Sequence, residues 1–105
     1  MDVTVAFVGL EPSDALRAYA IDKMSPLVEV ADVMRCRVAL EASNRHHAGA
    51  RFRAKVEVEI PRSTVVVGAR GEAYGDPYAA IDAATSDARR VLHERAARTH
   101  TLRHR

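Results

Sequence analysis

The sequence predicts an α+β fold: a βαβββα two-layer sandwich whose four-stranded, mostly antiparallel sheet carries two helices on one face. Two stripes of apolar residues at helical spacing flank three segments in which apolar and polar residues alternate, as they do in half-buried strands. Only short turns separate those three segments, which is typical of an antiparallel meander. With 105 residues, 48% of them hydrophobic, the chain is long enough for one modest core, so we expect a single domain over residues 1–105.

The amino-terminal part of the chain predicts a strand followed by a helix. Residues 3–7 read VTVAF, an alternation that indicates a half-buried first strand. Ser13 is suited to cap the helix that follows, and Asp14 in its first turn favours the helix dipole. Pro26 should end this helix near residues 24–25. The apolar stripe of the helix comprises Leu16, Tyr19, Ala20, Met24 and Leu27.

Three further strands are predicted to form the rest of the sheet. The second strand points Met34, Cys36, Val38 and Leu40 inward. The third covers residues 51–60 and points Phe52, Ala54, Val56, Val58 and Ile60 inward. We place a short fourth strand at residues 64–69 and expect residues 71–76 to lead into the last helix. The first strand, which enters through a helical crossover, should add to the meander in parallel.

The last helix is predicted to be amphipathic and increasingly cationic. Asp76 stands where an N-cap residue belongs, and Asp82 should lie on an exposed flank of the helix. The apolar stripe comprises Tyr78, Ile81, Ala84, Ala88, Val91 and Leu92. Residues 89–105 hold six arginines against a single acid, Glu94, a gradient that suggests docking on an anionic partner. Residues 101–105 are expected to fray.

Signs of catalysis and cofactor binding are weak, so we expect neither an enzyme nor a cofactor nor a small-molecule substrate. The sequence has no glycine-rich phosphate loop, nucleophile elbow or zinc-type Cys/His spacing. His46 and His47 are adjacent in a loop that supplies no Cys, Asp or Glu, so no metal site is expected. Cys36 is the only cysteine, and no signal-like or membrane-spanning apolar run is present, which favours a cytoplasmic protein without membrane contact.

The cationic residues are the better candidates for function. Arg37 and Arg53 are predicted to project from the sheet face opposite the helices, where aromatic residues are almost absent. Such a face is a poor platform for stacking single-stranded bases, which favours contact with the phosphates of folded RNA. Arg90 and Glu94 are spaced to form an ion pair along the helix, which would weaken the cationic patch slightly.

The chain combines the βαβββα order with SDALR at residues 13–17 and DPYAAID at residues 76–82. In these features it resembles the bacterial ribosome hibernation-promoting factors, also called ribosome-associated inhibitor or sigma-54 modulation proteins, and the resemblance extends over residues 1–100. Residues 36–42, CRVALEA, followed by RHHAG at residues 45–49, resemble a subgroup with a histidine-rich loop. Pro26 and Asp87 depart from the family pattern, because both stand where a basic residue is usual.

The resemblance implies a factor that binds the decoding region of the small ribosomal subunit in starvation or stationary phase and blocks mRNA and tRNA there. It implies the short form of the family, monomeric on the ribosome and unable to pair ribosomes unaided. Arg17, Lys23 and Arg90 match basic positions of the family. Together with the residue-level analysis, this predicts contacts to rRNA phosphates from Arg17, Lys23, Arg37, Arg53, Arg89, Arg90, Arg95 and Arg98.

Two other readings of the residues stay open. A regulatory domain that binds proteins through its exposed sheet face or edge strand would have the same alternating pattern. A stand-alone binder of structured RNA would share the two helices and the cationic residues, although the strand at residues 3–7 is not expected at the start of a double-stranded RNA-binding domain.

Overall fold

The computed structural model describes residues 2–30, 33–43, 50–60 and 69–103, with the side chains of 28, 30, 69, 70, 74 and 96–103 outside the description. In chain order the elements are β1 (Asp2–Val8), α1 (Asp14–Met24), α2 (Leu27–Val30), β2 (Arg35–Ser43), β3 (Arg51–Glu59), β4 (Ala69–Tyr74) and α3 (Pro77–Arg103). Apart from the one-turn helix α2, this is the predicted βαβββα order, and the α+β fold class is confirmed.

The sheet has the predicted topology. Its strand order is β1-β2-β3-β4, with β1 parallel to β2 and the two remaining pairings antiparallel. In the register, Val38 of β2 lies beside Val5 of β1 and Val56 of β3, so the apolar residues of three strands share one face. The charged residues of β2 and β3 therefore share the opposite face, because side chains alternate along a strand.

The core lies between that apolar face and the helices. Helix α3 packs on β3 and β4, and α1 packs on β1 and against α3. Cys36 is fully buried, in agreement with its prediction as a small core residue. The largest fully buried side chains are Met24, Leu27, Leu40, Ile81, Leu92, Val38, Val56 and Val58.

Local signals at the helix ends are confirmed. The Ser13 side chain accepts a hydrogen bond from the amide of Leu16 at 3.2 Å, which caps α1. Asp76 Oδ1 accepts hydrogen bonds from the amides of Tyr78 and Ala79 at 3.0 and 3.3 Å, which caps α3. Helix α1 ends at Met24, two residues before Pro26, and α2 then carries Leu27 into the core.

The fourth strand extends further along the chain than predicted. The proposed segment 64–69 falls outside the described residues except for Ala69, which begins β4. The expectation that residues 71–76 only lead into the helix was wrong for 71–74, because their backbone pairs with β3 up to the partners Arg51 and Tyr74. Gly71 weakens the strand signal in the sequence, yet it is the residue that lets α3 lie directly on β4.

Two predicted core residues lie at the surface. Met34 precedes β2 and is 51% exposed, because the paired strand begins only at Arg35. Tyr78 is 39% exposed. Instead of entering the core, its ring packs at 83° to that of Tyr19 on α1, with the centroids 4.9 Å apart.

Candidate nucleic-acid interface

A groove runs along the seam between α1 and α3 on the helical side of the molecule. Its volume is about 520 Å³. The α1 wall ends where Pro26 interrupts the helix, and the α3 wall comes from the turns that follow Ile81. The lining residues are Asp22, Lys23, Pro26, Asp82, Thr85, Ser86, Arg89, Arg90 and His93.

A carboxylate joins the two walls of this groove. Asp82 Oδ1 on α3 accepts a hydrogen bond from the Tyr19 hydroxyl at 2.5 Å and lies 3.5 Å from Lys23 Nζ. The Lys23 ammonium is also 5.4 Å from the centroid of the Tyr19 ring. The hydrogen bond to Asp82 raises the pKa of Tyr19, and the negative charge of Asp82 raises the pKa of Lys23. Lys23 is therefore a protonated and oriented cation at the groove.

The two neighbouring arginines of α3 differ in their electrostatic surroundings. Arg90 forms ion pairs with Asp87 at 2.6 Å and with Glu94 at 3.0 Å, and its guanidinium is largely compensated. The pair with Glu94 confirms the prediction from the sequence. Arg89 is exposed and forms no ion pair with any described residue. Its charge is therefore the one in this part of the groove that is most available to an anion.

Arg17 lies on another side of α1, over Phe7 near the end of β1. Its guanidinium contacts Asp14 Oδ1 at 3.1 Å and lies 5.4 Å from the centroid of the Phe7 ring. Both contacts are local to the amino-terminal turns of α1 and to β1. Arg17 is therefore held in place, but it does not line the groove that contains Lys23 and Arg89.

Among the described side chains, positive and negative charges on the opposite face of the sheet are nearly balanced. Arg51 and Arg53 both pair with Glu72, the latter at 3.0 Å, and these contacts lower the pKa of Glu72. Further pairs join Lys55 to Glu41 at 3.3 Å and Arg35 to Glu59 at 3.4 Å. Arg37 is exposed opposite Glu57 and forms no ion pair with a described residue. Most of the positive charge of the described side chains on this face is thus neutralised within the protein.

The structure consequently divides the predicted contact residues between two faces. It brings Lys23, Arg89 and Arg90 together at the groove and leaves Arg37 and Arg53 on the far side of the sheet. Arg95 is half-buried on α3 and makes a contact of its own. Arg98 lies on the part of α3 that continues past the last buried residue described there, Leu92, and its side chain is outside the description.

A protein-family model matches residues 3–100 of the chain. It is the model of the sigma 54 modulation protein / S30EA ribosomal protein family. The chain belongs to this family. The resemblance in the sequence is thereby confirmed, and membership places the chain among ribosome-associated modulation proteins, which are not known as enzymes.

Two solved structures share the fold. The crystal structure of the protein Y N-terminal domain from Thermus thermophilus has a TM-score of 0.73 and 26% identity, over 90% of this chain and 98% of that chain. A ribosomal subunit interface protein from Coxiella burnetii has a TM-score of 0.76 and 18% identity, over 92% of this chain and 99% of that chain. The second likeness shows the fold alone. No curated protein sequence gives a significant match.

The contact between Asp82 and Tyr19 beside the groove was not predicted from the sequence. Asp82 was assigned to an exposed flank, and Tyr19 was assigned to the apolar stripe of α1. Their contact joins residues that are 63 positions apart, so no local spacing indicates it. The only signal in the sequence is that both have a polar group beside an apolar stripe, which is common in packed helices.

Metal sites and membrane-spanning helices each require a particular arrangement of residues. No group of three His, Cys, Asp or Glu residues among those described is arranged to hold a metal ion. His46 and His47 lie outside the described residues. None of the helices described is both long and apolar enough to cross a membrane.

Proposed function

We propose that this family member silences translation by binding the decoding region of the small ribosomal subunit, where it sterically excludes mRNA and tRNA. In this proposal it acts in the cytoplasm during starvation or stationary phase, as a monomer and without a cofactor. The groove between α1 and α3 contacts rRNA phosphates. Family membership supports the ribosome as the partner, and the electrostatics of the groove support the surface that is used.

The observation that carries the proposal is Arg89, which has no ion pair among the described residues, in a groove that already holds an oriented lysine. An exposed cation without an internal partner loses little when it binds a phosphate, since no ion pair has to be broken. Lys23 adds a second cation from the opposite wall. A groove with cations on both walls suits a phosphodiester backbone better than a flat surface does.

The part of α3 that continues past Leu92 supports the same binding surface. The helix runs eleven residues past Leu92, to Arg103, which corresponds to about three turns. The sequence of this segment includes Arg95, Arg98 and Arg103. A cationic helix leading away from the groove would extend the contact with rRNA. The neutralised sheet face would then point towards solvent or towards a protein neighbour.

The proposal is tested by co-sedimentation of the purified protein with separated ribosomal subunits over a salt series. We expect binding to the small subunit that weakens as salt rises, with each phosphate contact contributing a slope of about −0.7 to −0.9 in log affinity against log salt. Added tRNA and mRNA should displace the protein. No binding at low salt, or binding that neither tRNA nor mRNA reduces, would contradict the proposal.

A matched pair of variants tests which face is used. Arg89→Gln and Arg37→Gln each remove one exposed arginine that forms no ion pair with a described residue, on opposite faces of the molecule. We expect Arg89→Gln to weaken small-subunit binding about fivefold and Arg37→Gln to have a much smaller effect, with stability unchanged in both. The reverse order would assign binding to the sheet face. Capture of a protein partner that survives nuclease treatment would favour the regulatory protein-binding domain.

A further inference from the structure

We infer that Asp82 is a positioning residue for phosphate recognition: an acid in the RNA-binding groove that strengthens binding by holding the Lys23 ammonium in place. The inference rests on the proposed function and deepens it. The inference predicts an effect opposite to the one expected from net charge alone. Removing this negative charge should weaken the binding of a polyanion, although the protein becomes more positive.

Two contacts hold the ammonium, and one side of it stays open. Asp82 Oδ1 lies 3.5 Å from Lys23 Nζ across the seam between the helices. The ring of Tyr19, one turn before Lys23 on α1, lies beneath the ammonium with its centroid at 5.4 Å. The lysine is 43% exposed, so the ammonium keeps an open side towards the groove. A phosphate can approach from that side without displacing Asp82.

The carboxylate is itself held in place. The Tyr19 hydroxyl donates a hydrogen bond of 2.5 Å to the oxygen atom that faces Lys23. The Tyr19 ring is in turn braced by Tyr78 from the first turn of α3. The same oxygen of Asp82 therefore contacts Tyr19 and Lys23 and links α1 to α3.

Holding a lysine matters because the side chain is long and flexible. A free lysine loses rotamer entropy when it is immobilised, and preorganisation removes part of that cost from the binding step. The opposing term is the repulsion between Asp82 and an incoming phosphate. That repulsion is reduced because Asp82 is already paired with one cation and hydrogen-bonded to Tyr19.

The chain provides a matched control for the charge itself. Asp22 lines the same groove, is exposed and forms no ion pair with a described residue. Asp22→Asn and Asp82→Asn are chemically identical changes in one groove. If only net charge matters, both tighten binding. If Asp82 acts through Lys23, Asp22→Asn tightens binding or leaves it unchanged, whereas Asp82→Asn weakens it.

The chain has two lysines, Lys23 and Lys55. In an NMR experiment with lysine-selective ¹³C labelling, Lys23 is the reporter and Lys55 is the internal control. Lys55 pairs with Glu41 on the far face of the sheet. We expect Asp82→Asn to shift the Lys23 signal, lower the pKa of Lys23 and increase its side-chain mobility, with no change at Lys55. Asp22→Asn should leave the Lys23 mobility as it is. A Lys23 signal that Asp82→Asn does not alter would overturn the inference without any ribosome in the sample.

Binding to the small subunit is then measured for the wild type, Asp82→Asn, Asp22→Asn, Lys23→Gln and the double variant Lys23→Gln/Asp82→Asn. We expect Asp82→Asn to weaken binding about three- to tenfold, and to have no weakening effect in the Lys23→Gln background. Equal or tighter binding by Asp82→Asn overturns the inference while the proposed function stands. If the wild type itself does not bind the subunit, the proposed function fails instead, and the NMR result still decides whether Asp82 positions Lys23.

Discussion

Gly71 of β4 lies directly against the backbone of Ala84 in α3. A Cβ atom at position 71 would overlap the amide nitrogen of Ala84 and the carbonyl oxygen of Ala80, two backbone atoms that no rotamer change can move. Both alanines are fully buried. This close approach seats the carboxyl-terminal helix on the edge strand and thereby fixes the α3 wall of the groove.

Gly71→Ala should therefore destabilise the protein by at least about 2 kcal/mol, since the helix must move away from the sheet to admit the methyl group. Gly75→Ala is the control. Gly75 has φ of +72° and open space around it, so an alanine there costs only about 1 kcal/mol of backbone strain. Urea unfolding measures both. A smaller loss for Gly71→Ala than for Gly75→Ala would contradict the packing described for β4 and α3.

The single thiol should react only when the protein opens. Cys36 is fully buried, and burial raises the pKa of its thiol, so both access and the reactive thiolate are limited. We expect little labelling by a thiol reagent in native buffer and complete labelling in denaturant. The double variant Met34→Cys/Cys36→Ala moves the thiol two residues towards the amino terminus, to a position that is 51% exposed. The thiol of this variant should react with the reagent at once in native buffer. Rapid labelling of native wild-type protein would refute the burial of β2.

Acid stability should depend on Glu72. The hydrogen bond from Arg51, supported by Arg53, holds the pKa of Glu72 below its ordinary value in the folded protein. A lowered folded pKa contributes stability that is present in full above the ordinary pKa and is lost as the pH falls through the folded value. The wild type should thus lose more stability than Glu72→Gln as the pH falls below about 5. The difference between the two proteins should be small, because the Glu72 side chain is 42% exposed.

Glu57→Gln is the matched control for this effect, because Glu57 lies on the same face of the sheet and forms no ion pair with a described residue. Thermal unfolding from about pH 3 to pH 7 compares the three proteins. We expect the acid dependence of Glu57→Gln to match that of the wild type. If Glu72→Gln retains the full acid dependence of the wild type, the triad of Arg51, Arg53 and Glu72 does not form in solution.

Releasing Arg90 from its acids should tighten ribosome binding. Asp87 and Glu94 both pair with its guanidinium, so Asp87→Asn/Glu94→Gln frees the arginine and removes two negative charges beside the groove. We expect affinity for the small subunit to rise about two- to fivefold at low salt and the gain to shrink at high salt. In an Arg90→Gln background part of the gain should disappear. An equal gain in that background would show that Arg90 takes no part.

The fold was predictable because its signals are local. The alternation in β3, the cap at Ser13, the cap at Asp76 and the stop at Pro26 each depend on residues within a few positions of one another. The ion pair of Arg90 with Glu94 was predictable for the same reason, since residues four apart on a helix are neighbours.

The errors arose where a local signal competed with a distant contact. The predicted fourth strand ended at residue 69, because Gly71 weakens the strand signal of the residues that follow, whereas the structure pairs residues 69–74 with β3 and packs Gly71 against α3. Tyr78 fits the apolar spacing of α3, but the ring of Tyr19 on another helix holds it at the surface.

The sequence by itself determined the order and type of the elements, the inward residues of β3, and the charges that the chain carries. Only the tertiary structure decided which of those charges are paired within the protein and which remain available to a binding partner. Pairing across strands neutralises Arg53 through Glu72, and packing of α1 on α3 places Lys23 beside Asp82. The physical reason is that propensity and periodicity act over a few residues, whereas an electrostatic interaction depends on distance in space. Packing alone sets that distance for residues far apart in the chain.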